Sequence, residues 1–300
     1  MRWLPRGLAA LLAVPLLLAS EARPAATRRL KIGVTLLPYY SWTANVVGGA
    51  ADVVPALPAG TDPHTYQPKP EDLASLQSLD AIVVNGLGHD EFIDPMLQAA
   101  GRASLPRIRP NEALPLMPVS GEPGATAKNS HSFIAITGAI QQTQTIARSL
   151  GRLDPRNDAL YARNAAAYAG RLRALLAGAL SRLDGVDTSK VRVATVHDGY
   201  AYLFRELGLT VAAVVQPRHG LEPSARQLAD TIDRIRKAGV GVLFIEMDLK
   251  STYVDTIFRE TGCRVLRLSH MAGGAYTADA FERDMKANLD AIVAGVTGKT

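Results

Sequence analysis

Short apolar runs rich in β-branched residues alternate with helix-patterned segments along most of this chain, and that alternation restricts the fold more than any other feature. Residues 30–36, 53–57, 81–84, 191–196, 211–215, 242–245 and 265–268 read as strands. Between them lie helical patterns. One covers 71–79, with Pro70 at the favoured first position, and another covers 225–238, preceded by Glu222-Pro223-Ser224. A third begins after Thr277 and puts Phe281, Met285, Leu289 and Ile292 on one face. Strands that are apolar nearly throughout, separated by helices, indicate parallel sheets covered by helices: an α/β class.

The alternation stops in the middle. Residues 154–184 are rich in Ala, Leu and Arg, with Asp154-Pro155 as a helix start and Asp184-Gly185 as a stop. About 30 helical residues would reach roughly 45 Å. Two α/β stretches of similar length flank this segment. The expected organisation is therefore an N-terminal α/β lobe over 23–153, a connecting helix over 154–184 and a C-terminal α/β lobe over 185–300. Residues 115–129, with Gly121, Pro123 and Gly124, carry no helical period and read as the least ordered stretch.

The N-terminus sets the expected compartment. Arg2 and Arg6 precede a twelve-residue apolar run over 7–18, and Ser20 and Ala22 supply a small-residue cleavage pattern. This is the build of a secretory signal peptide over 1–22, and it is short for a bilayer span, which takes roughly 20 residues. Cys263 is the single cysteine, so no lipid-attachment cysteine follows the apolar run and no disulfide can form within the chain. A mature protein free in the periplasm, monomeric and without a direct membrane anchor, is expected. With 300 residues, 47% of them hydrophobic, the chain can bury a sizeable core. Removing Arg2, Arg6 and Glu21 lowers the formal charge from +5 to +4, and the basic residues are scattered, which argues against a nucleic-acid partner.

Four of the six histidines fall beside rigid elements. His197 and His270 follow the strands over 191–196 and 265–268; His64 lies beyond 53–57 on a loop stiffened by Pro58, Pro63, Pro68 and Pro70; His131 precedes a helix. Loops at the carboxyl ends of strands build the ligand crevice of open α/β sheets. Imidazole is the commonest metal-ligating side chain, and several together favour zinc, copper or nickel over magnesium or calcium. Spacings of 67, 66 and 73 residues match no short metal motif, so the pattern alone leaves hydrogen-bonding or surface roles open for each.

The run Thr61-Asp62-Pro63-His64-Thr65-Tyr66-Gln67-Pro68-Lys69-Pro70-Glu71-Asp72 resembles the first metal-ligand motif of the zinc- and manganese-type solute-binding proteins of ABC importers. Ala81 through Gly88 is similar to that family's next strand and turn, and Asp154-Pro155 with Tyr161, Asn164 and Tyr168 to the start of its long helix. His197-Asp198-Gly199-Tyr200 looks like its third-ligand motif, and Glu260-Thr261-Gly262-Cys263 like the approach to its last strand. The resemblance covers essentially the whole mature chain. It implies two α/β lobes joined by one long rigid helix, a metal buried between them, and a membrane permease as partner. It also implies His64, His131 and His197 as ligands. Asn129-Ser130-His131-Ser132-Phe133 departs from the usual Asp-Pro-His-x-Trp, and Ser269 takes the place of the usual aspartate. A serine hydroxyl is a poor zinc donor, so His270 is the expected fourth ligand, with Glu246, Asp248 or water as alternatives. His89 and Glu91 are expected to support the crevice, and His219 to sit on a surface loop. Residues 112–130 hold no histidine, so the His-rich capture loop of some zinc members is missing.

Binding and delivery, not catalysis, is the function this implies, since four protein ligands leave no open position for an activated water. The alternative is a secreted zinc hydrolase with three histidines and Glu246 as base, but neither H-E-x-x-H nor G-x-S-x-G occurs. An organic-solute receptor would need an aromatic or Arg-lined cleft, and the chain is 6% aromatic. Zinc is favoured over manganese because the family's carboxylate is absent here, with copper and nickel as further alternatives.

Overall fold

The computed structural model describes residues 28–119, 127–216, 222–247, 249 and 251–298. The segment expected to be a signal peptide, His219 and Asp248 lie outside them. Two four-stranded, wholly parallel sheets form the frame. The first holds β1 (Lys31–Val34), β2 (Asp52–Pro55), β3 (Ala81–Val83) and β4 (Arg107–Ile108) in the order β2-β1-β3-β4. The second holds β5 (Arg192–His197), β6 (Thr210–Gln216), β7 (Val242–Glu246) and β8 (Arg264–Leu268) in the corresponding order β6-β5-β7-β8. Each sheet thus reverses its winding beside its first strand, which opens a crevice at the carboxyl ends. The two lobes share this topology although their sequences show no repeat.

The helices are α1 (Leu37–Val47), α2 (Leu73–Gln77), α3 (Ile93–Ala99), α4 (Ile136–Leu153), α5 (Asp158–Arg182), α6 (Ala201–Glu206), α7 (Ala225–Ala238), α8 (Thr252–Thr261) and α9 (Ala280–Thr297). The helix expected over 71–79 is a 3-10 turn at Pro70–Asp72 followed by the short α2. The connecting segment is likewise a 3-10 turn at Pro155–Asn157 followed by α5, whose 25 residues span about 37 Å at roughly 1.5 Å each. From the stretch expected to be least ordered, Pro118 and Lys128 pair in an antiparallel bridge.

Side-chain alternation along the strands divides the core into three. Ile32, Val34, Ala81 and Val83 of the first sheet, and Val193, Val242 and Phe244 of the second, face one continuous core with Trp42, Tyr161, Tyr168, Leu172, Phe281 and Ile292. On the opposite faces, Ile82 and Val84 pack with Leu76 and Leu97, while Ala194, Val196, Leu243 and Ile245 pack with Ile235 and Ile257. Both faces of both sheets are covered, which is why the strands read as unbroken apolar runs. Because the central core takes residues from both lobes and from α5, the lobes are joined by packing as well as by the helix.

The C-terminal helix adds to that joint. The rings of Trp42 and Phe281 meet edge-on at 5.2 Å. The Ser41 hydroxyl donates to the Thr277 carbonyl at 2.8 Å and accepts from the Phe281 amide at 3.2 Å. Arg171 of α5 makes a fork onto the Glu282 carboxylate at 2.8 and 3.2 Å.

Candidate metal centre

His64, His131, His197 and His270 each sit at the carboxyl end of a strand, on the loop beyond one, or ahead of a helix. His64 is held by a turn in which the Asp62 carboxylate accepts from the His64 amide at 2.9 Å. Further along the same loop the Asp72 carboxylate accepts from the Tyr66 hydroxyl and the Lys69 amide, which staples the Pro68–Pro70 stretch to its helical turn. His197 is the last residue of β5, paired with Gln216, so it belongs to the strand and does not follow it. His270 comes two residues after β8, and the chain then turns through Met271 at φ 59°, a left-handed conformation that a residue with a Cβ rarely adopts.

His131 stands just ahead of α4, inside a buried polar network. Asn85 donates to the Tyr39 hydroxyl at 3.1 Å and to the Ser130 carbonyl at 3.0 Å; Ser132 donates to Asn111 at 2.6 Å, and Asn111 to the Asn85 carbonyl at 2.8 Å. Asp90 is buried in the same turn and accepts from the Thr35 hydroxyl and the Asn85 and Gly86 amides. Its burial raises its pKa against those hydrogen bonds. From the other lobe, the Glu206 carboxylate accepts from the Ile136 and Thr137 amides at 2.8 and 2.6 Å, capping the N-terminus of α4.

The structure brings His64, His131, His197 and His270 together: one ring nitrogen from each lies within 4.8 Å of the others. Their six ring-centroid separations run from 4.6 to 6.0 Å. His131 and His197 are buried, at 6% and 4% exposure, and His64 is the more accessible. Burial holds the His131 pKa well below its usual value, and the neighbouring imidazoles push the same way. A neutral imidazole is the form that binds a cation.

Gly199 makes that approach possible. A Cβ there would stand 3.0 Å from the His197 ring and 3.2 Å from the His270 ring. Ser269 is engaged elsewhere: its hydroxyl donates to Asp284 at 3.0 Å and accepts from the Met271 amide, while Asn288 holds its backbone. Glu246, at the end of β7, shares a cleft of about 540 Å³ with Asp62, Ser269 and His270 but is not among the four converging donors. His89 is buried and adds a fifth ring to the group, edge-on to His64 at 4.2 Å and to His131 at 4.9 Å, with Nδ1 3.3 Å from the Ser130 hydroxyl. Glu91 is exposed on the surface. Sequence reasoning missed the contributions of Glu206 and of the Asn129–Asp198 contact, since neither spacing nor composition brings those residues together.

Two parallel-sheet lobes, a long helix between them and a cage of imidazoles in the crevice define a substrate-binding receptor for a metal ion. Residues 32–295 match the model of the periplasmic zinc-uptake complex component A family. The chain belongs to this family, the zinc- and manganese-type substrate-binding proteins of metal ABC importers. The structure of the substrate-binding protein FpvC from Pseudomonas aeruginosa in complex with Mn2+ is 47% identical, with a TM-score of 0.85 over 91% of this chain and 100% of that one. FpvC has also been solved with Ni2+. The metal ABC transporter substrate-binding lipoprotein FimA of Streptococcus parasanguinis is 23% identical over 91% of each chain. The iron ABC transporter substrate-binding lipoprotein MtsA of Streptococcus pyogenes is 23% identical over 96% of this chain and 97% of its own.

Proposed function

We propose that this protein captures one divalent transition-metal ion, zinc foremost, between its lobes through His64, His131, His197 and His270, and delivers it to the permease of an ABC importer. The observation that carries this reading is the convergence of four imidazoles, one nitrogen of each within 4.8 Å of the rest. Zinc commonly takes four nitrogen or sulfur ligands, and manganese prefers a larger share of carboxylate oxygen. Copper and nickel share the taste for imidazole, and the manganese, nickel and iron named for relatives keep those ions in the comparison. Four protein donors favour holding the ion over activating water at it, so the role is a receptor's and not an enzyme's. The hydrolase alternative gains no support from the family.

The reading includes export, removal of residues 1–22 and a monomer acting outside the cytoplasm, with lobes over 23–153 and 185–300 joined by 154–184. Elemental analysis of protein recovered after export, followed by competition among zinc, manganese, iron, copper and nickel, tests it. One equivalent of zinc, retained against manganese, supports the proposal; preferential retention of manganese or iron overturns the choice of metal. Mass spectrometry of the same sample should show loss of about 22 residues, as signal-peptide cleavage requires.

A further inference from the structure

Asn129 occupies a junction between the two lobes at the metal centre. Its side-chain nitrogen donates to the Asp198 carbonyl at 2.8 Å and to the Asp198 carboxylate at 3.1 Å. Both partners are acceptors, so the amide NH2 must face them, and the amide oxygen must face the other way. On that side Oδ1 accepts from the His131 backbone amide at 2.9 Å and stands 2.9 Å from His131 Nδ1. An amide oxygen can only accept, so the hydrogen of that second contact belongs to Nδ1. A neutral imidazole carries one ring proton, which leaves Nε2 as the lone-pair atom. That atom points into the cluster, 2.9 Å from His197 Nε2.

We propose that Asn129 is a positioning residue that fixes His131 in its Nδ1–H tautomer, presents Nε2 as the donor for the cation, and makes this orientation depend on Asp198 of the opposite lobe. The backbone of Asn129 is pinned as well. Its amide donates to the Met117 carbonyl at 2.9 Å, and its carbonyl accepts from the Tyr202 hydroxyl at 2.9 Å. The Met117 amide in turn donates to the same hydroxyl at 2.9 Å. Tyr202 follows Asp198 in the second lobe, so one rigid turn supplies the acceptors for the amide and the clamp on its backbone. Separation of the lobes would remove both, and the Asn129 amide would no longer be held with its oxygen towards His131. Outer hydrogen-bond partners of this kind orient ligating histidines and raise their basicity.

The inference rests on the proposed metal site, and two measurements keep their failures apart. Long-range proton–nitrogen NMR of the histidine rings in the metal-free wild-type protein at pH 8 should show His131 protonated at Nδ1. Protonation at Nε2 overturns the inference whether or not the protein binds metal. Asn129→Leu removes both faces of the amide at similar volume. In it, His131 should populate both tautomers, and zinc affinity should fall roughly 10–100-fold. A single Nδ1–H tautomer with undiminished affinity in that variant overturns the inference, and the wild-type spectrum decides the matter alone if the variant does not fold. A wild-type protein that shows the Nδ1–H tautomer yet takes up no divalent metal overturns the site and leaves the amide contact standing.

Discussion

His131 Nε2 and His197 Nε2 lie 2.9 Å apart, although 66 residues separate them in the chain and they belong to opposite lobes. Two nitrogens each roughly 2.0–2.1 Å from a tetrahedral zinc would stand about 3.3–3.4 Å apart. Seating the ion therefore requires the pair to open by only a few tenths of an ångström.

Metal should stabilise the fold, because donors from two lobes meet only in the native state. The gain follows RT ln(1 + [L]/Kd), about 4 kcal/mol at a thousandfold excess over Kd. Differential scanning calorimetry with and without zinc checks this. A melting temperature unmoved by saturating zinc contradicts an interlobe site.

Single substitutions should divide sharply. His64→Ala and His197→Ala are expected to abolish tight binding, and His270→Ala to weaken it clearly. Ser269→Ala should leave affinity nearly intact, because its hydroxyl is engaged by Asp284 and by the Met271 amide. It should cost stability of about 1 kcal/mol, the scale of one hydrogen bond. Calorimetric titration of the four variants decides between them. A large loss in Ser269→Ala with His270→Ala unaffected would transfer the fourth position away from His270.

Gly199→Ala tests the packing of the cage without touching a donor. Its new methyl would press on both the His197 and His270 rings. Overpacking costs about 1–3 kcal/mol, which corresponds to roughly 5- to 150-fold in affinity if the rings absorb it. Wild-type zinc affinity in this variant would show that the rings move freely.

The metal-free protein should lose stability in mild acid. Burial depresses the His131 pKa in the folded state, so below about 6.5 the unfolded chain binds a proton that the native chain refuses. The stabilising contribution is complete above about 6.5 and declines as pH falls from there towards the folded-state value. Protons also compete with metal for the imidazole nitrogens, so zinc affinity should fall over the same range. Urea denaturation at pH 8 and pH 5.5, with His131→Gln as reference, measures the first effect. Equal pH dependence in both proteins would contradict it.

Much of this architecture was legible because the strands are buried on both faces and so stand out as β-branched apolar runs. The helices were less so. α1 buries Leu37, Tyr39, Trp42, Thr43 and Val46 and so lacks the polar face that marks a helix in sequence. β4 is two residues long and has no period to read. The four histidines were legible by their places at or beyond strand ends and before a helix. The resemblance then implied His64, His131 and His197 as ligands, and donor chemistry added His270 where the family's aspartate is replaced by Ser269. What could not be read were contacts between distant segments: Asn129 with Asp198, Glu206 with the first turn of α4, and His89 against His64. These depend on how the two lobes face each other, which local pattern does not encode.

X-ray absorption spectroscopy of the zinc-loaded protein measures the central claim most directly, since it counts and ranges the donors around the ion. One zinc per chain with four imidazole nitrogens at about 2.0–2.1 Å is the result predicted. A shell containing carboxylate oxygen or fewer than four imidazoles would contradict the four-histidine site.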